Sequence, residues 1–253
     1  MTVNRVTRTL GILFALWLLA GCVTESTGRE PAPKRVQLQA HLDLARGYLE
    51  QRDWTRAREP LARALEIDPS SAEAHTLMAV LYQSNNDPDL AERSYRQALR
   101  HDPRYAMALN NYGTFLYSRG RFEDALQPLR LLVQDPAYRD RATAYQNLGL
   151  TELKVGNRDR AREAFERALS FNALLPRSGL ELAQLAYEDG DYAAATRYFD
   201  MFRVRARQTA RSLCLGLRLA RQADDADGRA SYELALKNLY PDSAQAKRCL
   251  AEG

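Results

Sequence analysis

Apolar positions along this chain follow two different patterns. The first is one unbroken run, Leu10 to Ala20, preceded by Arg5 and Arg8 and followed, after Gly21, Cys22 and Val23, by polar residues. At about eleven residues it is too short for a bilayer-spanning helix, which needs roughly 20. From residue 38 onward the apolar residues are spaced at i, i+3, i+4 and i+7, the signature of amphipathic helices. Leu44, Ala45 and Tyr48 mark one stripe; Ala57, Leu61, Ala64 and Leu65 mark the next. The pair of stripes then recurs. Pro69 to Pro103, Ala64 to Ala98, Tyr48 to Tyr82 and Leu44 to Met78 to Tyr112 are all steps of 34 residues. After a two-residue slip the step resumes, from Gly149 to Ala183, Ala161 to Ala195 and Phe165 to Phe199.

A fixed 34-residue period of two helices is the mark of the tetratricopeptide repeat. The punctuation agrees with it. Asp53 is placed to cap a helix beginning at Trp54, and Asp87-Pro88 supplies a cap and a first-turn proline. Asp68-Pro69, Asp102-Pro103 and Asp135-Pro136 end second helices, because proline disfavours a helical residue before it. Small residues recur where the helices should cross: Ala45, Ala79, Gly113 and Gly149 on first helices, Ala57, Ala91, Ala125 and Ala161 on second ones. The predicted fold is all-α, a right-handed superhelical solenoid of six units at about 38–69, 72–103, 106–136, 141–173, 176–206 and 209–241, in one domain spanning 38–253. In the last unit the second helix, from Arg229 to Tyr240, fits loosely and follows what reads as a stretched turn, "QADDADG". Terminal repeats that cap a stack are often atypical.

The N-terminal run has a different meaning. A charged start, a short apolar middle and small residues at its end describe a secretory signal peptide over 1–21. Its last four residues, "LAGC", resemble the lipobox of bacterial lipoproteins. That resemblance implies cleavage before Cys22 and acylation of the new N-terminus, and two or more acyl chains give durable membrane attachment. Val23 after the cysteine, in place of an aspartate, favours the periplasmic face of the outer membrane. The polar, Pro-containing stretch that follows makes 22–37 a tether.

Composition then closes off several function classes. Losing Arg5 and Arg8 with the signal peptide leaves 34 cations against 32 acids, so the basic character of the whole sequence does not point to nucleic acid. No H-E-x-x-H, CxxC, Gly-rich phosphate loop or G-x-S-x-G elbow occurs, so no catalytic residue, metal, cofactor or small-molecule substrate is expected. His41 and His75 lie 34 residues apart, at equivalent architectural positions. Carboxylates read as helix-surface partners of cations, as in Glu163 with Arg167. Cys214 and Cys249 are left in the body as a possible disulfide, or as two separate thiols.

What remains is binding. In such a solenoid the first helices line a concave groove. Register assigns to it Leu42, Arg46 and Leu49, then Thr76, Val80 and Gln83, then Met107, Asn110, Thr114 and Tyr117, then Gln146 and Leu150. Amides beside modest apolar side chains suit a bound peptide, the amides holding backbone and the apolar pockets reading side chains.

Beyond these features, the chain resembles the type IV pilus biogenesis lipoproteins called pilotins, the PilF/PilW family. "LNNYGTFLYSRGRFEDAL", "RSLCLGLRLA" and "LKNLYPDS" carry that resemblance, together with the lipobox, the short tether and six repeats. It implies an outer-membrane lipoprotein that binds the pilus secretin and promotes its localisation and multimerisation, for pilus biogenesis and twitching motility. Some members of that family act instead in pilus stability. A lipoprotein of the β-barrel assembly machinery, which also places such repeats behind a lipobox, is the alternative scaffold.

Overall fold

The computed structural model describes residues 32–252. The signal peptide, the lipobox with Cys22 and most of the tether lie outside them. The described residues form thirteen α-helices: α1 (Lys34–Glu50), α2 (Trp54–Ile67), α3 (Ala72–Ser84), α4 (Pro88–His101), α5 (Ala106–Ser118), α6 (Phe122–Val133), α7 (Arg141–Lys154), α8 (Arg158–Phe171), α9 (Pro176–Glu188), α10 (Tyr192–Arg203), α11 (Ala210–Gln222), α12 (Ala226–Leu239) and α13 (Ala244–Ala251). They make six helical hairpins and one closing helix. None is long and apolar enough to cross a membrane.

Local chemistry sets the boundaries. The side chains of Asp53, Ser71, Asp87, Asp140, Asp191 and Asp225 each accept from the backbone N–H three residues on, capping α2, α3, α4, α7, α10 and α12. Such a cap satisfies one of the orphan donors of the first turn. Asp68 and Asp102, both before proline, end α2 and α4 in extended conformation. Helix α1 starts at Lys34, directly after Pro33, whose carbonyl accepts from Val36 and Gln37. Residues 34–37, expected in the tether, are therefore helical, because the fixed φ of Pro33 starts the helix early.

Every hairpin turns through three residues, and the middle one is left-handed each time. These are Arg52 (φ 58°), Asn86 (57°), Gly120 (75°), Gly156 (83°), Gly190 (82°) and Asp224 (52°). The last hairpin obeys the same rule, so its turn is not stretched, and α12 begins at Ala226 rather than Arg229. The "QADDADG" stretch reads as loose only because Asp224 stands where glycine is usual. A side chain in this region costs about 1–2 kcal/mol relative to the right-handed form. Arg52→Gly should accordingly raise stability by about 0.5–1 kcal/mol, less the entropy glycine adds to the unfolded chain. A higher urea midpoint at unchanged slope would show it.

The first helices of neighbouring units pack on one another: α1 on α3, α3 on α5, α5 on α7, α9 on α11 and α11 on α13. Each second helix fits between the first helices on either side. Close approach depends on missing side chains. A Cβ on Gly149 would lie 2.7 Å from the Phe165 ring, and one on Gly113 would lie 2.7 Å from Leu129. Tyr95, Leu116, Leu129, Leu132 and Phe165 are the large residues that fill the middle of the stack. Leu44, expected in the apolar stripe of α1, is 46% exposed. Its equivalents Met78 and Tyr112 are covered by the preceding unit, and α1 follows no such unit among the described residues.

Ion pairs staple the units together. Arg130 donates from Nε (3.1 Å) and Nη2 (2.7 Å) to Oε1 of buried Glu152, whose Oε2 accepts from Asn157. Arg211 grips buried Glu181 through both carboxylate oxygens, at 2.6 and 2.7 Å. Arg121 reaches Glu92 at 2.7 Å, and Arg158 bridges to Glu188 and Asp189. The Glu163–Arg167 pair expected on α8 is not formed among the described residues. On α8, Arg162 pairs instead with Asp159 on its own helix and with Asp189 of the next unit.

Candidate functional site

The groove predicted from register divides once the side chains are placed. Leu42, Leu49 and Thr76 are buried and unavailable to a partner. Leu42 and Leu49 pack with Ala45, Leu61 and Leu77, because i, i+3 and i+7 on α1 turn toward α2. Thr76 donates its hydroxyl to the Ala72 carbonyl at 2.7 Å and is fully covered. Arg46 is committed to Asp43 and Glu73. Tyr105 lies near this pair, its hydroxyl pushed up to about 12, chiefly by burial.

Val80 and Met107 remain partly exposed, while Gln83 is open and accepts from the Tyr95 hydroxyl at 3.0 Å. Asn110 and Gln146 are half-buried. Asn110 Nδ2 donates to Asn111, leaving its own Oδ1 buried with no partner among the described residues. Gln146 accepts from the Ser178 hydroxyl at 3.2 Å, tying α7 to α9.

Thr114, Tyr117 and Leu150 are brought together. They wall a cavity of about 160 Å³ that crosses from α5 over α7 to the start of α9. Leu129, Asn147, Thr151 and Arg177 complete its lining; Leu129 and Thr151 are fully covered, Leu150 is largely buried, and Arg177 is exposed at its rim. Tyr117 is held edge-on by Phe122, ring centroids 5.2 Å apart. Thr114 turns its hydroxyl back to the Asn110 and Asn111 carbonyls. Asn147, Thr151 and Arg177 were not read from sequence. The first two repeat at i and i+4 beside the predicted Gln146 and Leu150, a signal offset by one residue. Arg177 comes from the first turn of another unit and shows no periodic signal.

A second cavity, about 300 Å³, lies at the far end of the same row of first helices, among Arg211, Arg218, Gln245 and Arg248. Arg218 is paired there with Glu252 at 2.5 and 2.8 Å. Cys214 of α11 and Cys249 of α13 border this cavity with Cα atoms 5.8 Å apart and their sulfurs in contact. Bridged cysteines have this Cα spacing. His75 and His101 stack at 5.5 Å between units, with His75 held by the Pro69 carbonyl at 2.9 Å.

Tetratricopeptide-repeat families match residues 38–81, 76–141 and 147–210. The type IV pilus assembly protein PilF of Pseudomonas aeruginosa is 43% identical over 242 residues, covering 92% of this chain and 94% of its own length. The chain belongs to the PilF/PilW family of tetratricopeptide-repeat proteins. A solved structure from the functional characterisation of P. aeruginosa PilF superposes with a TM-score of 0.81, covering 87% of this chain and 99% of that one. The crystal structure of PilW, described as a widely conserved type IV pilus biogenesis factor, gives 0.68 at 29% identity, covering 84% and 98%. Both likenesses run through most of the described repeat array.

Proposed function

We propose that this chain is a lipid-anchored scaffold of type IV pilus biogenesis on the periplasmic face of the outer membrane, where it binds the pilus secretin and promotes its localisation and assembly. The observation that carries this reading is the full-length likeness to PilF, a type IV pilus assembly protein. The lipobox ending in Cys22 supports the anchor. The row of first helices supports the binding role, since it offers a walled cavity and open amide side chains along one face. Its mechanism is positional. Acyl chains hold the repeat array at the membrane, and the array holds a segment of the secretin subunit, so that subunits accumulate where the ring must form.

Cys22→Ala tests the anchor and its purpose together. The variant should leave the membrane fraction and appear in the periplasm, with secretin multimers strongly reduced and twitching lost. Normal multimers alongside a fully soluble variant would overturn the reading. Capture of the secretin by the solubilised, acylated chain tests the partner separately.

A further inference from the structure

The cavity between α5, α7 and α9 has features that specify what enters it. Its apolar side is formed by Leu150, largely buried, with Leu129 fully covered behind it, and Tyr117 continues that surface. A cavity of about 150 Å³ takes one benzene-sized apolar group, so about 160 Å³ suits a single bulky aliphatic side chain. At the rim, Arg177 is exposed and makes no ion pair among the described residues. The arginines that pair between units, such as Arg130, Arg158 and Arg211, each have a carboxylate at hand.

The three first helices that carry the cavity, α5, α7 and α9, hold no unpaired acid to satisfy Arg177. Helix α5 has no acidic residue at all. On α7 the one carboxylate, Glu152, is buried against Arg130. On α9, Glu181 is buried against Arg211 and Glu188 is paired with Arg158. The site therefore joins an apolar hole to an unanswered positive charge, in a stretch of groove without unpaired negative charge.

We propose that this cavity is the specificity pocket of the groove, and that it takes a partner segment in which a bulky aliphatic residue is followed by an aspartate or glutamate. The aliphatic side chain fills the space over Leu129 and Leu150, and the carboxylate accepts from the Arg177 guanidinium. The proposal rests on the reading that this groove holds the protein partner, and it names the chemistry by which the partner is chosen.

Fluorescence anisotropy on the acylated full chain in detergent tests it. The probes are three labelled peptides with Gly-Ser flanks and a centre of Leu-Asp, Leu-Lys or Ala-Asp. Leu-Asp should bind about threefold to fivefold more tightly than Leu-Lys, the ratio an exposed charge pair gives. Arg177→Glu lies on the surface and leaves the core intact; it should invert that order. Thr114→Trp, which fills the cavity, should abolish the advantage of Leu over Ala. Equal binding of the three peptides, no binding up to about 10 mM, or an unchanged order with Arg177→Glu would overturn the proposal. Secretin capture separates the two readings. Peptide selectivity without secretin capture leaves the pocket standing and removes the proposed partner. Equal secretin capture by wild type, Arg177→Glu and Thr114→Trp, with no peptide selectivity, removes the pocket and leaves the partner.

Discussion

Replacing Phe165 with alanine should destabilise the array by about 3–5 kcal/mol. Its ring is fully buried and packs with Leu150, Ala161, Leu182 and Leu185, so it joins unit four to unit five. Truncation removes that apolar surface and leaves a void, because the helices around it are fixed by their own backbones. Gly149 sharpens the test. A Cβ there would stand 2.7 Å from the ring, so Gly149→Ala alone should also destabilise. With Phe165 already cut to alanine, the same methyl group enters empty space and should cost little. Urea unfolding of the two single variants and the double variant measures the coupling directly. Additive losses would show that the ring and the glycine do not share this contact.

The second large effect concerns the closing helix. Cys214→Ser with Cys249→Ser should cost about 2–4 kcal/mol under oxidising conditions, the usual contribution of a bridge closing a loop of this length. We expect the two thiols to be joined: they lie 35 residues apart, on α11 and α13, which pack side by side. Helix α13 has only eight residues and buries just Ala246 and Cys249. Outside the bridge it is held by Arg218 on Glu252 and by Arg221 on the Cys249 carbonyl. Its loss should thus be local, seen as early amide exchange over 244–251 while the middle units stay protected. Thiol labelling of both cysteines in protein isolated without reductant would refute the bridge.

The periodic part of this fold was legible because it is local. Caps, prolines and crossing residues sit at fixed offsets within 34 residues, and most units state several of them again. The slip before unit four was legible for the same reason, as a break in a count. Which side of a first helix faces a partner was less so. One residue of register is a rotation of about 100° on a helix, enough to carry Leu42, Leu49 and Thr76 from the groove into the core. The arginine staples were invisible, because Arg130 with Glu152 and Arg211 with Glu181 meet only after hairpins stack. Arg177 escaped for that reason too: its significance lies in the neighbours it does not have.

The links between hairpins are not all alike. Four residues join α2 to α3, α4 to α5 and α8 to α9, but seven, 134–140, join α6 to α7. The walls of the cavity stand on both sides of that longer joint, with Thr114 and Tyr117 before it and Leu150 and Arg177 after it. A guest seated there must therefore touch residues from both sides of the joint at once.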